Sequence, residues 1–421
     1  MVVLYRLGGH VPLPGINMAA LQQAFGQGEM GGLFGLYDMF VGGAFRRATI
    51  FATGIMPYIT ASIIIQLLGA VIPFFQRLQR EGEEGRRKIT QYTRYGALFI
   101  AAAQSLGMVA YLQNLNASSQ APVIITALTG WKFTLMAIIS LTTGSAIIMW
   151  LAELMTEKGI GNGMSILILV GIVSRLPTTF FQEAVLVMEG GRSIFTEFIV
   201  VLGILFFIAC AILLSQGTRQ IPVQYARKVA GRKVYGGSAT HLPLRINAAG
   251  VIPIIFASAV MFIPTLFISL LPDGGIKQVL TSALSGGSFF YNIFYGTIIV
   301  FFAYFYTAVI FNPVDVAENM KKYGGFIPGR RPGKQTSEYI DKVLTRITLP
   351  GAIGLALIAI VPVWFLQGAT GGSGGLQYAV GGTTLLILVG VIIDTLQQVE
   401  SHLLMRHYDG FMKKGRIRGR R

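Results

Sequence analysis

A single cysteine, Cys210, stands in 421 residues, which excludes an intramolecular disulfide and any metal site built on several thiolates. Charge is scarce too. Asp, Glu, Lys and Arg together make up 12% of the chain against 53% hydrophobic residues. The mean hydropathy is +0.62, too apolar for a soluble globular chain of this size. Catalytic signatures are missing: no His-Glu-x-x-His, no Gly-x-Ser-x-Gly, and four scattered histidines, His10, His241, His402 and His407. The run Gly329 to Gln335 has the look of a phosphate loop but is one residue short and lacks its Ser/Thr. No signal-peptide pattern opens the chain, and the apolar stub Met1 to Leu7 is too short to span a bilayer.

What is present is charge of one sign in the right places. The formal net charge is +16, from 34 basic and 18 acidic residues. The basic residues collect in patches: Arg77 to Arg94, Lys158, Arg219 to Arg245, Lys321 to Arg346, and a tail from Lys413 to Arg421. Loops at 8–35, 114–130, 272–289 and 367–379 are nearly free of Lys and Arg. Between them run apolar stretches at 52–76, 92–113, 131–155, 160–181, 194–215, 246–271, 290–311, 347–366 and 380–404, each long enough for a membrane helix. Basic loops stay on the cytoplasmic side, and one parity satisfies all the patches. Counting the stub as helix one gives ten spans with the C-terminus inside. Such a face draws anionic partners, whether lipid head groups, acidic proteins or RNA phosphate.

Two basic loops are longer than connectors need to be. Gln216 to Arg245 has the alternating pattern of a short hairpin, Ile221, Val223 and Tyr225 and then Arg232 to Tyr235 before Gly236-Gly237, and Asn312 to Arg346 breaks at Tyr323-Gly324-Gly325 and again from Pro328 to Gly333. Both read as docking surfaces. Intramembrane acids are few: Glu153, Glu197, Asp394 and Glu400. An ion-coupled transporter needs a relay carboxylate, for which Asp394 is the nearest candidate, and an intramembrane hydrolase needs a nucleophile–base pair that the sequence does not show. The span interiors carry Thr, Ser, Gln and Asn among apolar side chains, which suits an uncharged path.

Longer motifs then carry a resemblance. The run Arg46 to Gln66, with Gly54-Ile-Met-Pro-Tyr58 inside it, closely resembles the second membrane helix of the SecY family, the protein-conducting channel of the Sec translocon. So do Glu84 to Arg94, Gly159-Ile-Gly-Asn-Gly-Met-Ser165, His241 to Pro253 and the loop Pro328 to Asp341, in order and at matching spacing from about Arg6 onward. The family carries a complete first helix ahead of the motif matched by Pro12 to Gly15, so a shortened N-terminus is expected here.

The resemblance implies an all-α polytopic membrane protein. Its ten helices would form two pseudo-symmetric five-helix halves, 1–193 and 194–421, with a re-entrant plug helix. It implies a pore ring of Ile55, Ile59, Met164, Ile168, Ile255 and Ile387. The residues add independently that Ile55 and Ile59, and Met164 and Ile168, stand four apart and so share a helix face. The plug would run from about Leu36 to Thr53, including Tyr37, Met39, Phe40, Gly42 and Gly43. Thr60, Gln104 and Asn247 match the lateral gate. Arg232, Lys233, Arg330 and Arg331 fall in the loops that dock the motor SecA and the ribosome with its RNA. Further implied partners are SecE and SecG, the secretory precursor with its signal sequence, and anionic lipids, but not DNA. No cofactor or metal is implied, no catalysis by the chain itself, and the location is a bacterial cytoplasmic membrane.

Overall fold

The computed structural model describes residues 1–27, 37–118, 122–125, 130–225, 228–230, 233–235, 239–270, 274–284, 288–370 and 380–414. Helices dominate. Two compact units emerge, Met1–Ala184 with Phe262–Thr281 and Ile387–Arg421, and Val185–Met261 with Ser282–Leu386.

In the first unit, the stub forms α1 (Val2–Gly8), followed by α2 (Met18–Gln27), α3 (Met56–Val71), α4 (Pro73–Arg80), α5 (Glu83–Ser118), α6 (Trp131–Lys158), α7 (Gly163–Val173) and most of α8 (Leu176–Met188). The span expected over 52–76 starts late and breaks early. Residues 41–55 are turns, and the helix bends by 101° between α3 and α4. Pro73 explains the break: it lacks a backbone donor and drives Ile72 to an extended ψ of 122°. α5 starts well before the expected 92, because Glu83 and Glu84 complement the positive end of its dipole and Lys88 pairs with Glu84 at 3.3 Å. Thus much of the first basic patch is helical. α5 packs against α3, α4 and α6, α6 against α7, and α7 against α1.

The second unit holds α9 (Ile194–Gln216), the strands β1 (Thr218–Tyr225), β2 (Lys228–Ala230), β3 (Lys233–Tyr235) and β4 (Ala239–Arg245), and the start of α10 (Ile252–Leu270). A short helix α11 (Gly275–Ala283) lies in the 272–289 loop. Then come α12 (Phe289–Ile310), α13 (Pro313–Lys322), β5 (Gly325–Phe326) and α14 (Lys334–Thr370), with α15 (Gly382–Lys414) closing the described chain. α14 gathers α9, α12 and α13 around itself. α9 keeps Phe195, Phe198, Leu202, Leu205 and Phe206 exposed, a surface that only lipid or another protein would tolerate.

Seven described helices are long and apolar enough to cross a membrane, eight if the bent α3–α4 pair is one span, and Ile252–Met261 is a shorter apolar helix. Each of the nine apolar stretches read from the sequence is mostly helical, two of them, 52–76 and 160–181, across two helices.

Candidate ring, seated re-entrant segment and loop platform

The sequence-derived ring residues occupy helix starts. Ile55 caps α3, and the Ile59 N–H donates to the Ile55 carbonyl at 3.2 Å, so the two lie one turn apart. On α7, Asn162 caps the helix by accepting from the Met164 N–H at 3.1 Å, which fixes Met164 and, one turn on, Ile168. Ile55, Ile59, Ile168 and Ile387 are buried, and Met164 is half-buried. These five belong to the first unit. Ile255, also buried, belongs to the second, near the start of α10.

The gate candidates are polar and buried. Thr60 on α3 satisfies its hydroxyl on the Met56 carbonyl of its own helix at 3.0 Å, leaving it nothing to offer a neighbour except its lone pairs. Gln104 on α5, the helix packed against α3, is 6% exposed, and its Oε1 accepts no hydrogen bond among the described residues. A buried amide oxygen without a donor is costly, so this helix pair carries an acceptor ready for an incoming N–H. Asn247, buried, belongs to the second unit.

The segment after residue 36 is held by a set of polar contacts. Tyr37 to Phe40 are helical and 41–48 turn, while Leu36 lies outside the described residues. Tyr37, Met39 and Phe40 are buried. The Tyr37 hydroxyl donates to the Thr53 carbonyl at 2.7 Å, and the Thr53 and Ser145 hydroxyls lie 2.5 Å apart, tying the segment to α6. Gly42 has φ +68° and sits directly on Gly171 of α7: a Cβ on Gly42 would come within 3.1 Å of the Gly171 Cα, and one on Gly171 within 2.6 Å of the Phe40 carbonyl. Both positions therefore need glycine. Three arginines and an acid surround this contact. Arg6 Nη1 and Arg47 Nη2 donate to the Gly42 carbonyl at 3.0 and 3.1 Å, and Arg47 Nε to the Gly43 carbonyl at 3.0 Å. Arg175 Nη1 meets Asp38 Oδ2 at 2.7 Å. Burial pushes the Arg47 guanidinium down from its ordinary pKa, helped by the nearby Arg6 and Arg175 charges and opposed by Asp38. Sequence reading placed Asp38 and Arg47 in the plug but missed their contacts, and missed Arg6 and Arg175 as their neighbours, since no spacing rule links them.

The two long basic loops are a single folded piece. β1 pairs antiparallel with β4 over Thr218↔Arg245 to Gln224↔Ala239, and its far end pairs with β5 through Gln224↔Phe326 and Tyr225↔Gly325, giving the order β4-β1-β5. The alternation expected over 221–225 holds, with Ile221 and Val223 buried. The hairpin partner, however, is 239–245, not the residues just before Gly236. β2 and β3 form a separate two-stranded ladder. Ile221, Val223 and Leu244 from one loop pack with Met320, Ile327, Ile340 and Leu344 from the other into one core. Replacing fully buried Ile340 by Ala is expected to cost about 2–5 kcal/mol of local stability. Faster amide exchange across β1 and β4 would show it, with α9 and α12 unchanged; protection equal to wild type would mean the loops fold independently.

The breaks read at 323–325 and 328–333 are turns with Gly324 at φ +72° and Gly329 at φ +81°. Arg330 lies 5.1 Å over the Tyr339 ring. Arg331 is exposed, while its backbone is held by the Gln335 Oε1 at 3.4 Å and by the Thr336 hydroxyl at 2.9 Å. Lys233 opens β3; Arg232 lies outside the described residues. Three of the four intramembrane acids have an interaction partner in the structure. Glu153 accepts from Arg94 Nε at 2.8 Å, Glu197 is 3.8 Å from Arg192, and Asp394 has an interaction partner. Among the described residues no group of His, Cys, Asp and Glu is arranged to hold a metal.

The fold is that of a protein-conducting membrane channel. A solved structure described as a protein conducting channel matches at a TM-score of 0.65, covering 95% of this chain and 90% of that one at 18% identity. Sec61 in the canine ribosome-channel complex from the endoplasmic reticulum matches at a TM-score of 0.61 and 17% identity, over 95% of this chain and 90% of that one. Sequence comparison narrows the class to one family: the SecY family model matches residues 49–396, and the chain belongs to that family. Its relatives include the protein translocase subunit SecY of Thermotoga maritima, 42% identical over 100% of this chain and 94% of the relative. The Mycobacterium bovis protein of the same name is 45% identical over 98% of this chain and 95% of the relative.

Proposed function

We propose that this chain is the channel subunit of a bacterial Sec protein translocase, passing unfolded secretory polypeptides across the cytoplasmic membrane and releasing membrane helices sideways into lipid. The carrying observation is on α7. One helix carries Met164 and Ile168, the two residues read as part of the ring, and, a turn further on, Gly171, against which Phe40 and Gly42 are packed. An apolar constriction excludes ions by dewetting yet yields around an extended chain, and a segment seated by reversible polar contacts can leave. Full family membership at 42–45% identity in relatives named protein translocase subunit SecY supports the same reading.

On this reading the ring is Ile55, Ile59, Met164, Ile168, Ile255 and Ile387, the plug is centred on Tyr37 to Gly43, and Thr60, Gln104 and Asn247 belong to the lateral gate. Ten helices fall into halves 1–193 and 194–421, and the C-terminus is cytoplasmic. Gln104 gives the gate a physical role: its free acceptor rewards a donor that replaces the closed packing, at about 0.6–2 kcal/mol for such bonds in membranes. SecE and SecG complete the complex, and SecA or the ribosome docks on the platform carrying Arg330 and Arg331, with Arg232 and Lys233 contributed by the other long loop. Driving force comes from those partners, and the chain performs no catalysis.

The test is a disulfide. An Ile168→Cys variant with Cys210→Ser, reconstituted with SecE, SecA and ATP, is given a secretory precursor arrested in mid-passage and carrying one cysteine. An adduct that depends on ATP and on the signal sequence is expected. Passage without an adduct would remove Ile168 from the ring; failure of passage in an assembled complex would count against the channel itself.

A further inference from the structure

The segment 37–53 has one acidic residue, Asp38, and it is 2% exposed. A carboxylate that deep needs compensation for both oxygens. Oδ1 accepts the Arg46 backbone N–H at 2.8 Å, a contact inside the segment, while Oδ2 meets Arg175 Nη1 at 2.7 Å, a contact to the turn that ends α7. Arg175 is itself only 29% exposed. The acid thus knits its own turn together with one oxygen and grips the channel wall with the other.

The neighbouring arginines divide the same way. Arg47 is part of the segment and binds the carbonyls of Gly42 and Gly43, whereas Arg6, on α1, and Arg175 stay with the wall. Backbone bonds from Leu13 N–H to the Ala48 carbonyl and from Ile50 N–H to the Val11 carbonyl, and the Thr53–Ser145 contact, hold the end of the segment; its turn meets the wall through two arginine contacts, Arg175 to the carboxylate and Arg6 to the Gly42 carbonyl, over the glycine-to-glycine approach of Gly42 and Gly171. Neither arginine contact has a counterpart in the family motifs read from the sequence.

We propose that Asp38 and Arg175 are the positioning residues that set the resting closed state: their ion pair latches the segment onto α7, and its rupture is the step at which the segment leaves. The inference rests on the channel reading. The chemistry suits a two-state latch. A buried ion pair adds little net stability, because desolvation offsets attraction, so it gives way when both charges return to water together. Losing one partner alone strands a buried charge, which is strongly unfavourable. After departure, Arg6 and Arg175 face the vacated seat without carbonyl or carboxylate, and their field draws Asp38 back. The latch resets itself.

The experiment uses the complete complex with SecE and SecG in proteoliposomes, reading resting ion leak without precursor and passage of a precursor with a defective signal sequence. Asp38→Asn keeps the shape and the bond to the Arg46 N–H but removes the charge; Arg175→Gln removes its partner. Each is expected to raise resting leak on the order of a hundredfold and to admit the defective precursor. Arg175→Lys, which keeps the wall's positive charge, is expected to hold both readouts within a few-fold of wild type. Leak unchanged in both Asp38→Asn and Arg175→Gln, or Arg175→Lys leaking as much as Arg175→Gln, would overturn the latch and leave the pair a packing contact. Passage of an intact precursor through wild-type vesicles is the separate control: if it fails, the channel reading falls, whatever the leak shows.

Discussion

With Ile55, Ile59 and Ile168 all replaced by Ser, ions are expected to leak around an arrested precursor on the order of a hundredfold faster than in wild type. The arrested state is the right one to measure. On the proposed reading the segment 37–53, which contacts α7 at Gly171, would act at rest as a second seal in series, and with a polypeptide in its place the ring alone would resist ions. Each Ile-to-Ser change removes roughly 1.5–3 kcal/mol of preference for an apolar over an aqueous setting, and each 1.4 kcal/mol is about tenfold in a rate or an equilibrium. Even partial expression of three such changes converts a dewetting collar into a wetted one. The control is on the same helix: Ile64 is 42% exposed on α3, so Ile64→Ser is expected to leave the leak unchanged. A triple variant as tight as wild type around the chain would remove these residues from the constriction.

The spans were legible because length and apolarity are local properties, written in consecutive residues. Their ends were less so. The start of α5 is governed by Glu83, Glu84 and a Lys88–Glu84 pair, a charge pattern that looked like loop because hydropathy was the guide. The bend after Val71 was foreshadowed by Pro73, inside what read as one continuous run. The alternation of Ile221 and Val223 announced β1, but nothing announced β5: two residues cannot show a period of two, and their partner lies in another loop. Of the candidate sites, the pairs Ile55–Ile59 and Met164–Ile168 were legible as faces, and only a family resemblance singled them out from ordinary packing. The Asp38–Arg175 pair was invisible because its partners belong to different elements: Asp38 lies in the expected plug, but nothing in its spacing points to Arg175. Contacts made by folding, as distinct from patterns that cause it, leave no trace in spacing.

Arg331→Glu is expected to weaken binding of the motor SecA and of ribosomes to reconstituted vesicles by about a hundredfold, and to halt ATP-driven passage while leaving resting leak untouched. The platform geometry is the reason. The guanidinium of Arg331 is exposed, yet its main chain is pinned by Gln335 and Thr336 on the first turn of α14, so a planar donor fork stands on a fixed base. That base is rooted in the core shared by both loops, through Ile327, Ile340 and Leu344. Arg330, by contrast, is committed to the Tyr339 ring, so Arg330→Gln is expected to act chiefly by loosening Tyr339 and to cost less. Lys322→Glu, exposed at the end of α13 on the same platform, separates a specific contact from general attraction. If docking only needs positive charge, Lys322→Glu will match Arg331→Glu, and both effects will fade together as salt is raised past a Debye length of about 8 Å. If Arg331 makes a bidentate contact, its loss will persist at high salt and Arg331→Lys will fail to restore it, because a point charge cannot reproduce the fork. Equal binding by wild type and Arg331→Glu at low salt would move the docking surface off this turn altogether.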